Sequence, residues 1–284
     1  MAGLPQRVGL PITPLNHRRR LQIGGDFCLP CQGGDGRTYT ASPMFGLVVK
    51  PLSDRDMLAL YFNYIEGLQR GSTVPAGFVN AGEVLSPYET EQYEFGAKWN
   101  MGAFTSTLSF FQIERPSYIS KPVAGGNEYA KSGKQRNQGA EWMFFGELTD
   151  SLRLIGGLSY IKTKLVKTNG GINQGNEAGG YPRLQGNLGV EWDTWFNPDL
   201  TLTARTNFNG SMYANNTNTR KVAGWGTFDI GARYTLDVCQ RPLTFRVNVD
   251  NVLNKQNYWA GARAAGAFYT MPGRTLKCSV SMDF

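Results

Sequence analysis

The 284-residue chain has no apolar run approaching the roughly 18 residues of a membrane-crossing helix, and its mean hydropathy is −0.34. A helical membrane protein is therefore excluded. A strand-built one is not, because alternating strands keep mean hydropathy low. There is a single histidine, His17, so a His-dependent triad has nothing to draw on outside the N-terminal segment. Residues 1–25 hold no apolar stretch of the kind a secretory signal needs; Pro5, Pro11 and Pro14 interrupt them, and Arg18–Arg20 follow. Charged residues make up only 18% of the chain, while 35 glycines and 12% aromatics stand against disorder and against a coiled coil. No segment shows a helical period of 3.6.

Four cysteines make no scaffold. Cys28 and Cys31 form a C-x-x-C without the helix start of a redox motif, so a local disulfide or free thiols is the expectation. Cys239 and Cys278 are too distant in sequence to complete a zinc set. Gly156 and Gly157 sit inside an alternating stretch and open no helix, which removes a phosphate-cradling loop. Lysine and arginine number 29 against 22 acidic residues, a formal charge of +7. Arg18–Arg20 is too short for a nucleic-acid patch, so no nucleic-acid partner is expected. Glu66, Glu83, Glu89, Glu91 and Glu94 crowd one region, but nothing in their spacing fixes a carboxylate pair for hydrolysis. These motifs support no catalytic site, no cofactor and no metal site.

What is present is a period of two. Leu200, Leu202, Ala204, Thr206 and Phe208 alternate with Thr201, Thr203, Arg205, Asn207 and Asn209. Successive strand residues point to opposite faces, so one face is apolar and the other polar. Residues 184–193, 228–235 and 243–250 repeat the pattern. Eleven strands are expected, at about 41–50, 56–65, 91–99, 104–114, 136–145, 152–166, 181–193, 200–212, 225–235, 243–254 and 274–284.

The connections alternate strictly. Those after Lys50, Asn100, Gly146, Thr194 and Leu236 are short; 66–90, 115–135, 167–180, 213–224 and 255–273 are long. That order fits a barrel in an outer membrane, with short turns at one rim and long loops at the other. Aromatic residues gather at strand ends, as interfacial girdles do: Tyr61, Phe62 and Tyr64, Trp99, Trp142, Phe144 and Phe145, Trp192 and Trp195, and Trp225. The final strand places Leu276, Cys278, Val280, Met282 and Phe284 on one face and Thr275, Lys277, Ser279, Ser281 and Asp283 on the other. The fold class is all-β, an antiparallel transmembrane β-barrel of 11–12 strands. A soluble sandwich is the competing architecture.

Several ordered segments resemble one family. NAGEVLSPYETEQYEFGAKW (80–99), QRNQGAE (135–141), NVDNVLNKQNYW (248–259) and Pro272–Thr275 before the last strand are similar to TonB-dependent siderophore receptors, the ferrichrome-type group especially. PMFGLVVKPLSDRDMLALYFNYIEGLQ (43–69) fits the same pattern. The resemblance covers residues 40–284 and leaves 1–39 as an irregular segment of unclear status. It implies a cell outer membrane location in a Gram-negative bacterium and a 22-stranded barrel, of which the eleven strands read here are half. A plug domain and a TonB box belong to such receptors and are not read in this sequence. The family has an aromatic-ended last strand that the barrel-assembly machinery recognises, here Leu276, Cys278, Val280, Met282 and Phe284.

The implied activity is uptake of a ferric siderophore, with the TonB complex acting only through a plug. Outer-membrane lipid and lipopolysaccharide are further expected partners. Candidate ligand-facing aromatics in the long loops are Tyr88, Tyr118, Tyr129, Tyr213, Trp259 and Phe268. The alternative is a self-contained 12-stranded pore or translocator, with residues 20–40 supplying one more strand.

Overall fold

A computed structural model describes residues 20–24, 27–28, 42–51, 57–238, 240–256, 258–260 and 268–282, without the side chains of 20–24, 27–28, 258–260 and 268–269. The strands are β1 (Arg20–Gly24), β2 (Phe27–Cys28), β3 (Ser42–Lys50), β4 (Leu58–Gln69), β5 (Tyr88–Asn100), β6 (Phe104–Val123), β7 (Gly126–Thr149) and β8 (Leu152–Lys167). They continue with β9 (Leu184–Asp193), β10 (Leu200–Asn209), β11 (Met212–Tyr213), β12 (Lys221–Val222), β13 (Trp225–Val238) and β14 (Arg241–Asp250). Last come β15 (Tyr258–Ala260), β16 (Phe268–Thr270) and β17 (Thr275–Met282). The only helical turn among the described residues is a 3₁₀ turn at Asn169–Gly171.

The main sheet follows the order β1-β3-β4-β5-β6-β7-β8-β9-β10-β13-β14-β17, in chain order throughout, with the short strands β2, β11, β12, β15 and β16 off the path. The strand pairings along it are antiparallel, as in β9–β10, where Leu202 faces Trp192 and Thr201 faces Asp193. This is the wall of an up-and-down β-barrel. All eleven expected strands are present. β1, within the segment 1–39, pairs with β3 and brings the path to twelve strands. Among the described residues the path does not return on itself.

One expected loop is not a loop. Residues 115–135 continue β6 and β7 as a long hairpin closed at 124–125, where Gly125 and Gly126 have φ of 88° and 146°. The β-branched and aromatic run Tyr118–Ile119 and Tyr129 supports strand where the turn residues had suggested coil. The long connections that remain are 70–87, 168–183, 210–224 and 251–274.

Burial is inverted relative to a soluble domain. On β10, Thr201 is 4% exposed while its neighbour Leu202 is 38% exposed. Phe95, Phe110, Phe228, Ile230, Val247 and Val280 are also exposed, and Gln135, Thr227 and Asp229 are buried. The buried apolar residues, Val74, Tyr88, Leu165, Ala178, Met212 and Ala214, all lie in or beside long connections. A sandwich hides its apolar rows between sheets; these strands leave them bare, as lipid-facing rows require.

The girdle expectation names Trp142 and Phe144, which share one face and tilt together with ring centroids 4.8 Å apart, while Phe144 also stacks on Phe104 at 6.2 Å. Tyr61 departs from it. It turns to the polar face and donates a hydrogen bond to Glu94 at 2.8 Å. A phenol has both an apolar ring and a donor, and here the donor decides.

The chain divides into two compact units. Unit 1 runs to Lys98 and adds Ser109–Gln138 and Lys164–Gly175; unit 2 comprises Trp99–Leu108, Gly139–Thr163 and the remainder from Asn176.

Candidate functional site

In unit 1, the connection 70–87 folds onto the β6–β7 hairpin and builds an aromatic cluster. Asn80 behaves as a one-residue strand: its Nδ2 donates to the Tyr129 carbonyl at 3.2 Å, and its Oδ1 accepts the Tyr129 N–H at 3.0 Å. The Val79 N–H donates to the Asn127 carbonyl at 2.9 Å. Gly71 lets the connection close, since a Cβ there would lie 1.8 Å from the Leu85 carbonyl oxygen.

These ties stack Tyr118 on Tyr129, with centroids 5.0 Å apart and planes at 15°. Tyr88 meets Tyr118 edge-on at 5.8 Å, and Phe78 tilts against Tyr129 at 5.0 Å. The Lys131 ammonium lies 5.9 Å from the Tyr88 ring centroid and donates to the Pro87 carbonyl at 3.2 Å. The Tyr118 hydroxyl accepts the Ser72 N–H at 3.2 Å. Of the sequence candidates, Tyr88, Tyr118 and Tyr129 are thus brought together. Tyr88 is buried, whereas Tyr118 and Tyr129 keep part of their surface free. The sequence reading missed Phe78, Asn80 and Lys131; the Asn80–Tyr129 reciprocity has no local sequence signature.

Tyr213 belongs to a separate group in unit 2. It pairs through β11 and β12 with Lys221, and its carbonyl accepts the Gly180 N–H at 2.7 Å. Asn218 ties the two connections there: its Nδ2 donates to the Glu177 carbonyl at 2.9 Å, and its Oδ1 accepts the Glu177 N–H at 2.9 Å. Arg183 forks onto the Glu177 carboxylate. That guanidinium, ahead of the opposing effect of burial and with help from Lys162 and Lys221, holds the Glu177 carboxyl below its ordinary value. Trp259 and Phe268 lie in the paired strands β15 and β16, with Ala260 opposite Phe268, but their side chains fall outside the described set. Phe284, Cys31 and the Cys28 side chain also lie outside it.

A second polar surface of unit 2 was not singled out from sequence. The polar rows of β8, β9, β10, β13, β14 and β17 form a ladder of ion pairs. Arg153 grips Asp193 with two bonds of 2.7 Å and reaches Glu191 at 3.4 Å. Thr201 donates to Asp193 at 2.6 Å. Arg233 lies 3.5 Å from Glu191, Arg205 lies 2.9 Å from Asp229, and Lys277 lies 2.5 Å from Asp250. Of these, Glu191, Arg205, Asp229, Arg233, Asp250 and Lys277 line a depression of about 470 Å³. Its signal was available in the sequence as the polar half of each alternating row, but the partner across each strand depends on register.

Apolar rows bare on one face, charged rows interlocked on the other, and aromatics at the strand ends define a strand-built membrane protein of the barrel class. A family model described as TonB dependent receptor-like, beta-barrel matches residues 24–252. The chain belongs to that family, whose members are outer-membrane β-barrels. It is 35% identical over 265 residues to the ferrichrome receptor FcuA of Yersinia enterocolitica, covering 91% of this chain and 34% of that protein. Among solved structures, BauA, the ferric preacinetobactin receptor of Acinetobacter baumannii, superposes with a TM-score of 0.79 and 35% identity over 94% of this chain and 40% of that one. The siderophore receptor PiuA of the same species shares the fold, with a TM-score of 0.72 at 19% identity, over 92% of this chain and 40% of that one. The chain spans about a third of the length of the curated relatives it matches.

Proposed function

We propose that this chain is the C-terminal part of the barrel wall of an outer-membrane receptor for a ferric siderophore. The observation that carries the reading is the inverted burial: Thr201 and Asp229 are hidden while Leu202 and Val280 are bare. It is the arrangement of strands standing in lipid around a polar interior. Two of the chain's relatives are named for iron chelates, one for ferrichrome and one for ferric preacinetobactin.

The Tyr118–Tyr129 stack, with Lys131 beside it, is the ligand-facing surface of unit 1. Aromatic faces and a cation suit a bulky anionic or polar chelate whose iron is already fully ligated. Tyr213, Trp259 and Phe268 are further loop positions available to it. The siderophore passes unchanged, so the chain is no enzyme and holds no metal of its own. Energy reaches such a receptor from the TonB complex through a plug, and the alternating row Leu276–Phe284 is the segment the barrel-assembly machinery reads.

The test is fractionation of cells making the 284-residue chain, followed by ferrichrome binding to the detergent-extracted protein, read by quenching of aromatic fluorescence. Outer-membrane recovery with saturable quenching, weakened roughly tenfold in Tyr118→Ala/Tyr129→Ala, is expected on the scale of a lost aromatic contact. A chain recovered as a monomer in detergent-free buffer rejects the membrane reading; unchanged binding by the double variant rejects the site.

The twelfth strand β1 favours one second reading, a self-contained pore, because bacterial barrels use even strand counts. Ion conductance across planar bilayers at unit strand closure supports it; silence removes it.

A further inference from the structure

Within unit 1, the connection 70–87 is itself a small hairpin. Thr73 pairs with Val84, the Val74 N–H donates to the Glu83 carbonyl at 2.8 Å, and the Leu85 N–H donates to the Ser72 carbonyl at 3.2 Å. Val74 is only 3% exposed, so the hairpin is packed rather than loose. It holds the aromatic stack at two points. At its base the Ser72 N–H donates to the Tyr118 hydroxyl at 3.2 Å. At its tip Asn80 holds the backbone of Tyr129, and Phe78 tilts against the Tyr129 ring at 5.0 Å. One element therefore grips both tyrosines, and its span sets how their rings meet.

The grip on Tyr129 depends on a single amide and on which way round it sits. The Tyr129 N–H can only donate, so it requires the Asn80 oxygen, which lies at 3.0 Å. The Tyr129 carbonyl can only accept, so it requires the Asn80 nitrogen, which lies at 3.2 Å. The second hydrogen of that nitrogen goes to the Glu83 carboxylate at 3.0 Å. A flipped amide would set oxygen against both of these oxygens and nitrogen against the N–H, so Glu83 and Tyr129 together fix its orientation. The tip holds the two residues in place. The Glu83 N–H donates to the Asn80 carbonyl at 3.2 Å, and Gly82 between them has a φ of 84°, a left-handed conformation natural to glycine. With its N–H and C=O both bound, as in a paired strand residue, Tyr129 has one direction in which to point its ring.

We propose that Asn80, oriented by Glu83, is a positioning residue for ligand binding: it fixes the Tyr129 ring against Tyr118 before the chelate arrives. The inference rests on the ferric siderophore reading of the Tyr118–Tyr129 surface. The Asn80 amide is spent on Tyr129 and Glu83, so its contribution is pre-organisation. The chelate meets two rings already aligned, and binding does not carry the cost of ordering them.

The experiment uses the full chain in detergent, with heat-modifiable migration as the record of its fold. The probe is ferrichrome, read by quenching of aromatic fluorescence. Asn80→Ala loses both bonds to Tyr129 and is expected to bind about tenfold more weakly, the scale of one or two net hydrogen bonds. Asn80→Asp keeps the shape and the oxygen for the Tyr129 N–H, but sets a carboxylate against the Tyr129 carbonyl and Glu83. It is expected to lose at least as much. Glu83 is exposed, so its substitution disturbs no packing. Glu83→Ala is expected to weaken binding about threefold, and Glu83→Gln, which keeps an acceptor, to recover that loss. Asn80→Ala placed in a Tyr129→Ala background is expected to cost nothing further, because Asn80 acts through that ring. Without ferrichrome, the Tyr129 amide of Asn80→Ala should exchange about tenfold faster while the amides of Val74 and Leu85 stay protected.

An Asn80→Asp chain that binds like the unaltered one shows a residue that only fills space, and overturns the proposal whether or not Asn80→Ala folds. A full tenfold cost of Asn80→Ala in the Tyr129→Ala background, or an unchanged Tyr129 amide, overturns it as well. Unchanged binding in Glu83→Ala overturns the orienting role of Glu83. A folded, unaltered chain that gives no quenching with ferrichrome overturns the reading of the surface and this inference with it; quenching that survives every Asn80 substitution overturns the inference alone.

Discussion

At the scale of single residues, the most exposed question is what holds the long connections in place. Glu177 is central to one of them. Its backbone is bound at both its N–H and C=O by Asn218, and its carboxylate is bound by Arg183. Asn218 has a φ of 56°, a left-handed conformation that asparagine tolerates better than most side chains. Asn218→Ala removes both bonds and keeps the strained backbone, so about 1–3 kcal/mol of local stability should be lost. Hydrogen exchange at the amides of 177–179 checks it. Because Arg183 lowers the Glu177 pKa on folding, the pair contributes fully above the ordinary carboxyl value of 4.5. That contribution disappears as pH falls through the lower folded value, so the same amides should open in acid and Glu177→Gln should abolish the pH dependence. None of this was readable beforehand. Asn176, Glu177 and Asn218 look like ordinary loop residues until the two connections meet.

At the scale of elements, alternation told which face is which. Leu188 and Asn187 are neighbours on β9, facing Thr206 and Asn207 of β10. Leu188→Arg places a charge in the apolar row and should cost about 2–4 kcal/mol near the bilayer midplane, whereas Asn187→Arg on the polar face should be tolerated. Urea titration of the two variants in lipid vesicles, followed by heat-modifiable migration, separates them. Equal destabilisation would mean the faces are assigned wrongly. The strands were legible because a period of two survives even where Gly186 and Gly189 interrupt the side chains. Their ends were less so: 115–135 carries Pro116, Pro122, Gly125 and Gly126 and still extends two strands. Proline is excluded only where its missing N–H faces a partner. The ion-pair ladder was hidden for a related reason. Arg153 and Asp193 are forty residues apart, and only the pairing of Arg153 with Glu191 and of Thr201 with Asp193 brings them within reach. A double-mutant cycle, Arg153→Met with Asp193→Leu, should give a coupling of about 1–3 kcal/mol, discounted for partial exposure.

At the scale of the whole molecule, the decisive feature is the pair of strands that end the sheet path, β1 and β17. The outer edge of β17 carries unpaired backbone groups from Thr275 to Met282 among the described residues. In lipid each such group costs several kcal/mol, so an inserted wall must find more strands or join its own ends. The two readings of function part here. A receptor wall continues into further strands; a twelve-stranded pore joins β1 to β17. Cys278 lies on β17 and makes the distinction measurable. With Cys28, Cys31 and Cys239 changed to serine, single cysteines are placed in turn at Arg20, Leu21, Gln22, Ile23 and Gly24, and the chain is oxidised in vesicles. A disulfide needs Cα atoms within about 7 Å, which only directly neighbouring strands supply. The receptor reading predicts no intramolecular disulfide at any of these positions, together with silent planar bilayers. A disulfide formed in high yield at one position and absent two steps away would establish closure and replace the receptor wall with the pore.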